Sequence, residues 1–178
     1  IRTSNRNLNR LGIFKSVSIE ERPGENNNVD LEVNVEEKST GEFNVGISLG
    51  SYEGINLVSG LKERNFGGAG RLVDLSVNTA ESRTLYNFEI TEPFVFNRNL
   101  SFIYGINYSE FDYGSSSSYD LTNFSTKTGF KYLLSEDLDH KISLEYSLKD
   151  YTITNSSTAS SDIKDQAGAN ADINLKNS

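Results

Sequence analysis

The chain has 178 residues, a formal net charge of -8, 24% charged residues and no Cys. That balance argues against a nucleic-acid partner, which calls for a basic face, and the missing Cys removes any disulfide framework, thiolate metal site or thiol nucleophile. No apolar run approaches the ~20 residues of a membrane helix, yet a mean hydropathy of -0.49 leaves a β-barrel open, because barrel strands average two opposite faces.

Residues 1–11 (IRTSNRNLNRL) place Ile1, Ser4, Leu8 and Leu11 at helical spacing, and Gly12 follows as a stop signal. Arg2, Arg6 and Arg10 on this helix read first as a solvated face and second as a contact for a partner protein. Residues 14–22 alternate Val17 and Ile19 with polar positions, and residues 28–37 alternate Val29, Leu31, Val33 and Val35 with charges. Between them PGENN, residues 23–27, is a hairpin turn. Helix, strand, turn, strand makes half of a small α+β module. Below roughly 40 residues such a piece buries too little surface to fold alone without a metal or disulfide.

The pattern changes at residues 35–49, VEEKSTGEFNVGISL. Lys38, Ser39, Thr40 and Gly41 form a polar turn, after which Phe43, Val45, Ile47 and Leu49 alternate with Asn44, Gly46 and Ser48. This is a period-two strand with one apolar face. Six similar runs follow, at residues 55–64, 70–78, 85–91, 99–108, 123–133 and 141–151. Several approach the ~9 to 11 residues of a membrane-spanning strand. Tyr86, Phe88 and Ile90, with Leu100, Phe102, Tyr104, Ile106 and Tyr108, are expected to face lipid. Asn87, Glu89, Thr91, Ser101, Gly105 and Asn107 are expected to face a wet lumen, and Ile103 breaks that rule.

Compact connections at residues 65–69, 92–98 and 135–140 contrast with long polar ones at 112–121 and 154–170, as outer-membrane barrels require of their two sides. The compact set reads as periplasmic, with Phe66, Phe94 and Phe96 in an aromatic girdle. Seven strands plus a stub at residues 171–175 cannot close a barrel, since bacterial barrels use an even number from about eight upward. The expectation is therefore a fragment, cut inside the small module at one end and inside the barrel at the other.

Other residues read plainly. His140 is the only histidine and is expected to be solvated beside a turn. Glu136, Asp137 and Asp139 lack the spacing and glycine of a calcium loop. Gly67 to Gly70 lacks the lysine and serine of a phosphate loop and reads as a tight turn. Ser115 to Ser118 has no base beside it. No cofactor, metal site or catalytic cluster is expected, and the chain is not read as an enzyme.

With those residues in view, the chain resembles the BamA family of bacterial outer-membrane β-barrel assembly factors. The resemblance rests on LNRLGIFKSVSI, VDLEVNVEEKSTGEFNVGISLGSYEG, LKERNFGGAGRLVDLSV and ITEPFVFNRNLSF. It is most specific at Leu11, Gly12 and Phe14, at the turn from Glu37 to Gly41, and at Asn65-Phe66-Gly67-Gly68-Ala69-Gly70, with Glu92-Pro93-Phe94 adding to it. It implies that residues 1–38 are the second half of the last periplasmic POTRA repeat, and residues 39–178 the first part of a sixteen-stranded barrel. It also implies folding and insertion of outer-membrane proteins, with unfolded barrel proteins, assembly lipoproteins and the lipid bilayer as partners. The family's late Arg-Gly-aromatic loop motif and closing strand have no counterpart in this sequence.

A first strand pairs with the last strand of a barrel, so a weak seam there leaves N–H and C=O groups as a template for an incoming strand. The candidate pairing edge is accordingly Phe43, Asn44, Val45, Gly46, Ile47, Ser48 and Leu49. Gly46 admits two readings: it weakens pairing in mid-strand, or it relieves crowding in the barrel wall. Two rival functions stand beside assembly. One is a related POTRA-barrel transporter, TamA-like or of the two-partner secretion type; the other is a plain diffusion channel, which residues 1–38 argue against.

Overall fold

The computed structural model describes residues 2–24, 28–51, 53–135 and 138–178. Helix α1 (Arg2–Arg10) ends where Leu11 and Gly12 donate their N–H groups to the carbonyls of Leu8 and Asn9, with Gly12 in the left-handed conformation at φ 69°. Glycine takes that conformation without steric cost, which is why the helix stops there. Strands β1 (Phe14–Pro23) and β2 (Val29–Glu37) form an antiparallel pair. The tip of the expected hairpin turn, residues 25–27, lies outside the described residues. Asn5 on α1 donates its side-chain N–H to the carbonyl of Val17 at 3.3 Å, which ties helix to hairpin.

The second sheet holds eight antiparallel strands in sequence order. They are β3 (Gly41–Gly50), β4 (Gly54–Phe66), β5 (Arg71–Ala80), β6 (Arg83–Glu92), β7 (Leu100–Asp112), β8 (Tyr119–Ser135), β9 (Leu138–Ile153) and β10 (Gly168–Asn177). The stub expected at residues 171–175 is thus part of a ten-residue strand, paired with β9 over all ten residues. The outer strands β3 and β10 do not pair with each other, so the sheet is an incomplete barrel.

Register makes the two faces explicit. Phe43, Leu61, Leu75, Phe88, Ile106, Thr126, Tyr146 and Ile173 lie side by side across all eight strands. One residue along each strand, Glu42, Lys62, Asp74, Glu89, Gly105, Lys127, Glu145 and Asn174 form the matching row. Successive side chains of a strand point to opposite faces, so one face is an apolar band and the other is charged. Among the described residues only Ile103 and Ala159 are buried hydrophobics, while Phe43, Ile47, Leu49, Ile173 and Leu175 are each at least 70% exposed. An apolar face of this extent without a covering layer suits a hydrocarbon solvent and not water.

Ile103, the departure from the polar rule, is buried. Register sets it opposite Gly129, where a Cβ would come within 2.6 Å of the Ile142 carbonyl oxygen, and the Ile103 side chain is 3% exposed. Glycine is required at 129 by the close approach of β9, and the isoleucine opposite it is buried.

The connections differ in part from expectation. The turns at residues 67–70 and 93–99 share the end of the sheet where β3 begins. At the other end β5 and β6 are joined by Glu81 and Ser82 alone, so not every connection there is long. The two longer loops are partly ordered, by a helical turn at Gly114–Ser117 (α2) and by Ser161–Asp165 (α3), whose first turn is capped by Ser160 accepting from the Ile163 N–H. They also bond to each other, Ser118 Oγ to Thr158 Oγ1 at 2.5 Å and the Thr154 N–H to the Ser118 carbonyl at 3.0 Å. His140 lies near the start of β9, half-buried, with its ring tilted at 53° to that of Tyr132 and the centroids 5.1 Å apart. Asp139 pairs with Lys131, and Glu136 and Asp137 lie outside the described residues.

Candidate functional site

The seven residues of the sequence-derived edge all fall within β3, which pairs only with β4 among the described residues. Every residue from Gly41 to Gly50 is exposed. The hydrogen-bonding phase follows from one bond: the Arg64 N–H donates to the Thr40 carbonyl at 3.2 Å. In an antiparallel ladder, residues that exchange hydrogen bonds with a neighbour alternate with residues whose N–H and C=O point the other way. With Thr40 opposite Arg64, the even positions Glu42, Asn44, Gly46 and Ser48 bond to Lys62, Gly60, Val58 and Asn56 of β4. Phe43, Val45, Ile47 and Leu49 therefore turn their main-chain groups to the open edge.

The same odd residues carry the apolar side chains. The edge thus offers a main-chain template on one side and an apolar stripe on its outer face. Its first residues are anchored: Nη1 and Nη2 of Arg64 both donate to the Glu42 carboxylate, the Nη2 bond at 3.3 Å. A bidentate arginine–carboxylate pair fixes orientation as well as distance, so the start of β3 is held to β4.

Gly46 has no heavy atom within 4 Å of where a Cβ would stand. No described residue of this chain therefore crowds Gly46. The crowded glycine is the neighbour Gly60, where a Cβ would lie 2.8 Å from Asn44 Oδ1.

The other expected features resolve individually. The turn after β4 is a tight one: Gly67, Gly68 and Gly70 are left-handed, Gly68 donates to the Asn65 carbonyl at 2.9 Å and Gly70 to Asn65 Oδ1 at 2.8 Å. Glu89 and Lys127 meet at 2.5 Å across the bare backbone of Gly105, where a Cβ would lie 3.5 Å from Lys127 Cε. Among the described residues no three His, Cys, Asp or Glu side chains converge in a way that could hold a metal.

Two features escaped the sequence reading. A cleft of about 760 Å³ lies between α1 and the near rim of the large sheet, lined by Arg10, Leu11, Phe94, Arg98 and Lys131 among others. Two left-handed non-glycine residues, Phe94 and Asn97, line it, and a third, Phe96, lies between them in the same loop. Only the Pro93 turn signal hinted at that loop.

Comparison with known proteins fits this geometry. The Omp85 superfamily domain matches residues 65–178. The chain is also similar to the crystal structure of BamA from Haemophilus ducreyi lacking POTRA domains 1–3, at 18% identity and a TM-score of 0.71. That match covers 99% of this chain and 36% of the other, so the chain spans little more than a third of that relative's length.

Proposed function

The chain belongs to the Omp85 superfamily, and from that premise we propose that it serves in folding and inserting β-barrel proteins into the bacterial outer membrane, with β3 as the edge that receives a client strand. The observation that carries this reading is the hydrogen-bonding phase of β3, the first strand of the sheet, in which Phe43, Val45, Ile47 and Leu49 turn their main-chain groups to the side away from β4. Pairing by strand addition draws affinity from those groups and leaves side chains to tune it, which suits a receiver of many client sequences. It asks for no catalytic group and no cofactor.

Residues 1–38 serve as the end of a periplasmic POTRA repeat in this reading, and residues 39–178 as the first part of the barrel. In a closed barrel the open side of β3 meets the final strand. Backbone groups left unpaired in hydrocarbon cost several kcal/mol each, so the seam closes when no client is present. Gly46 lowers that closing energy, since glycine in mid-strand costs about 0.5–1 kcal/mol relative to alanine. Unfolded barrel proteins, accessory lipoproteins and the bilayer are the partners.

The test uses the full protein in liposomes, with a urea-denatured barrel protein as client and protease protection as readout. Wild type should protect the client faster than a Val45→Pro variant. No acceleration over empty liposomes, with partner lipoproteins present, would favour the transporter alternative.

A further inference from the structure

The cleft between α1 and the sheet rim has a composition of its own. Arg10, Arg98 and Lys131 face it against a single carboxylate, Asp139, although the chain as a whole is acidic. Lys131 and Asp139 pair with each other. Arg98 makes no ion pair or side-chain hydrogen bond among the described residues, and neither do the amides of Asn97 and Asn99 beside it. Leu11, Pro93, Phe94 and Leu133 add apolar walls. Its volume of about 760 Å³ lies within the range of clefts that hold drug-sized ligands, roughly 300–1,000 Å³, and is far larger than an inorganic anion fills.

Two further facts narrow the ligand. Lys131, Leu133 and Asp139 fall on the charged face by register with Lys127 and Glu145, so a lipid headgroup on the outer face does not reach them. The loop that lines one side is also held in an unfavourable backbone: Phe94 and Asn97, which line the cleft, have φ of 55° and 56°, and Phe96 between them has φ of 58°. Left-handed non-glycine residues are costly and gather at ligand clamps and switches.

We propose that this cleft binds an extended peptide segment that presents a carboxylate to Arg98 and an apolar side chain to Phe94 and Leu133. Guanidinium and carboxylate form the strongest common hydrogen-bonded pair, and the free amides can complete the bonding of the peptide backbone. The inference goes beyond the strand-receiving edge and does not depend on it. Peptide binding here would survive a finding that β3 receives no client.

The probes are short fluorescein-labelled peptides of alternating Asp and Phe, their Lys-for-Asp counterparts, and both with free or amidated C-termini. Binding is read by anisotropy on the full protein in nanodiscs. The acidic peptides should bind more tightly than the basic ones and weaken with salt. Arg98→Glu should weaken the acidic peptides about tenfold, the loss of one charge-assisted bond, and improve the basic ones; Arg98→Gln should fall between. Loss on amidation assigns the contact to the terminal carboxylate, and indifference to amidation assigns it to the Asp side chains. Equal affinity for acidic and basic peptides, or an Arg98→Glu protein that migrates as folded and binds like wild type, would overturn the proposal.

Discussion

A Cβ at Gly46 would meet open space, whereas one at Gly129 would lie 2.6 Å from the Ile142 carbonyl oxygen. The two glycines should therefore answer substitution in opposite ways. Gly46→Val is expected to leave the fold intact and raise strand stability, because it removes a glycine entropy cost of about 0.5–1 kcal/mol relative to alanine. If β3 is a seam that opens, the same change should slow client folding. Gly129→Val should overpack the wall and destabilise by about 1–3 kcal/mol. Urea unfolding of the two variants in detergent measures both, and equal destabilisation would contradict the geometry. Lys127 makes a second residue-scale case. It neutralises Glu89, which stands directly opposite Asp74 in the register. Like charges directly opposite in a sheet are destabilising, so Lys127→Ala should cost about 1–2 kcal/mol, given side chains only 21% and 29% exposed. A Glu89→Gln, Lys127→Ala double variant should recover much of that loss.

At the scale of the strand, the hydrogen-bonding phase of β3 separates two prolines one residue apart. Val45→Pro removes a donor from the open side and spares the ladder to β4, while Gly46→Pro removes a donor that the ladder uses. Val45→Pro should keep the β3–β4 ladder, lose one bond of the closing seam and lose client folding, and Gly46→Pro should lose the ladder bond to β4 and be the less stable of the two. Heat-modified gel mobility alongside the protection assay distinguishes them. The strand itself was legible because Phe43, Val45, Ile47 and Leu49 alternate without interruption. Strand β10 was only half legible. Its outward positions begin with Ala169 and Ala171, too small to mark a stripe, and only Ile173 and Leu175 announced it. The phase of the open edge was not legible at all, because it depends on which residue of β4 lies opposite, a long-range fact that no local pattern carries.

Over the whole molecule, periodicity revealed the two faces and left their neighbours unstated. The apolar row from Phe43 to Ile173 was readable strand by strand, since each strand repeats the same alternation. The cleft was not, because α1, the turn before β7 and strands β8 and β9 supply its walls from three segments distant in sequence, at residues 7–11, 93–101 and 131–139. The sidedness of the sheet yields its own prediction. Phe88→Arg, in the middle of the apolar row, should cost about 2–4 kcal/mol in a bilayer, the range for a basic residue near the midplane of a barrel's lipid face. Asn87→Arg, on the charged face of the same strand, should be tolerated, and unfolding of both variants in lipid vesicles compares them.

The central claim is that client strands meet this protein at the open side of β3. Photo-crosslinkers at Asn44 and Ser48, against a control at Asn87 in the fully paired strand β6, test it in the full protein with a folding client stalled part-way. If client strands pair with β3, adducts at Asn44 and Ser48 stand well above those at Asn87; equal adducts at all three positions would rule that pairing out.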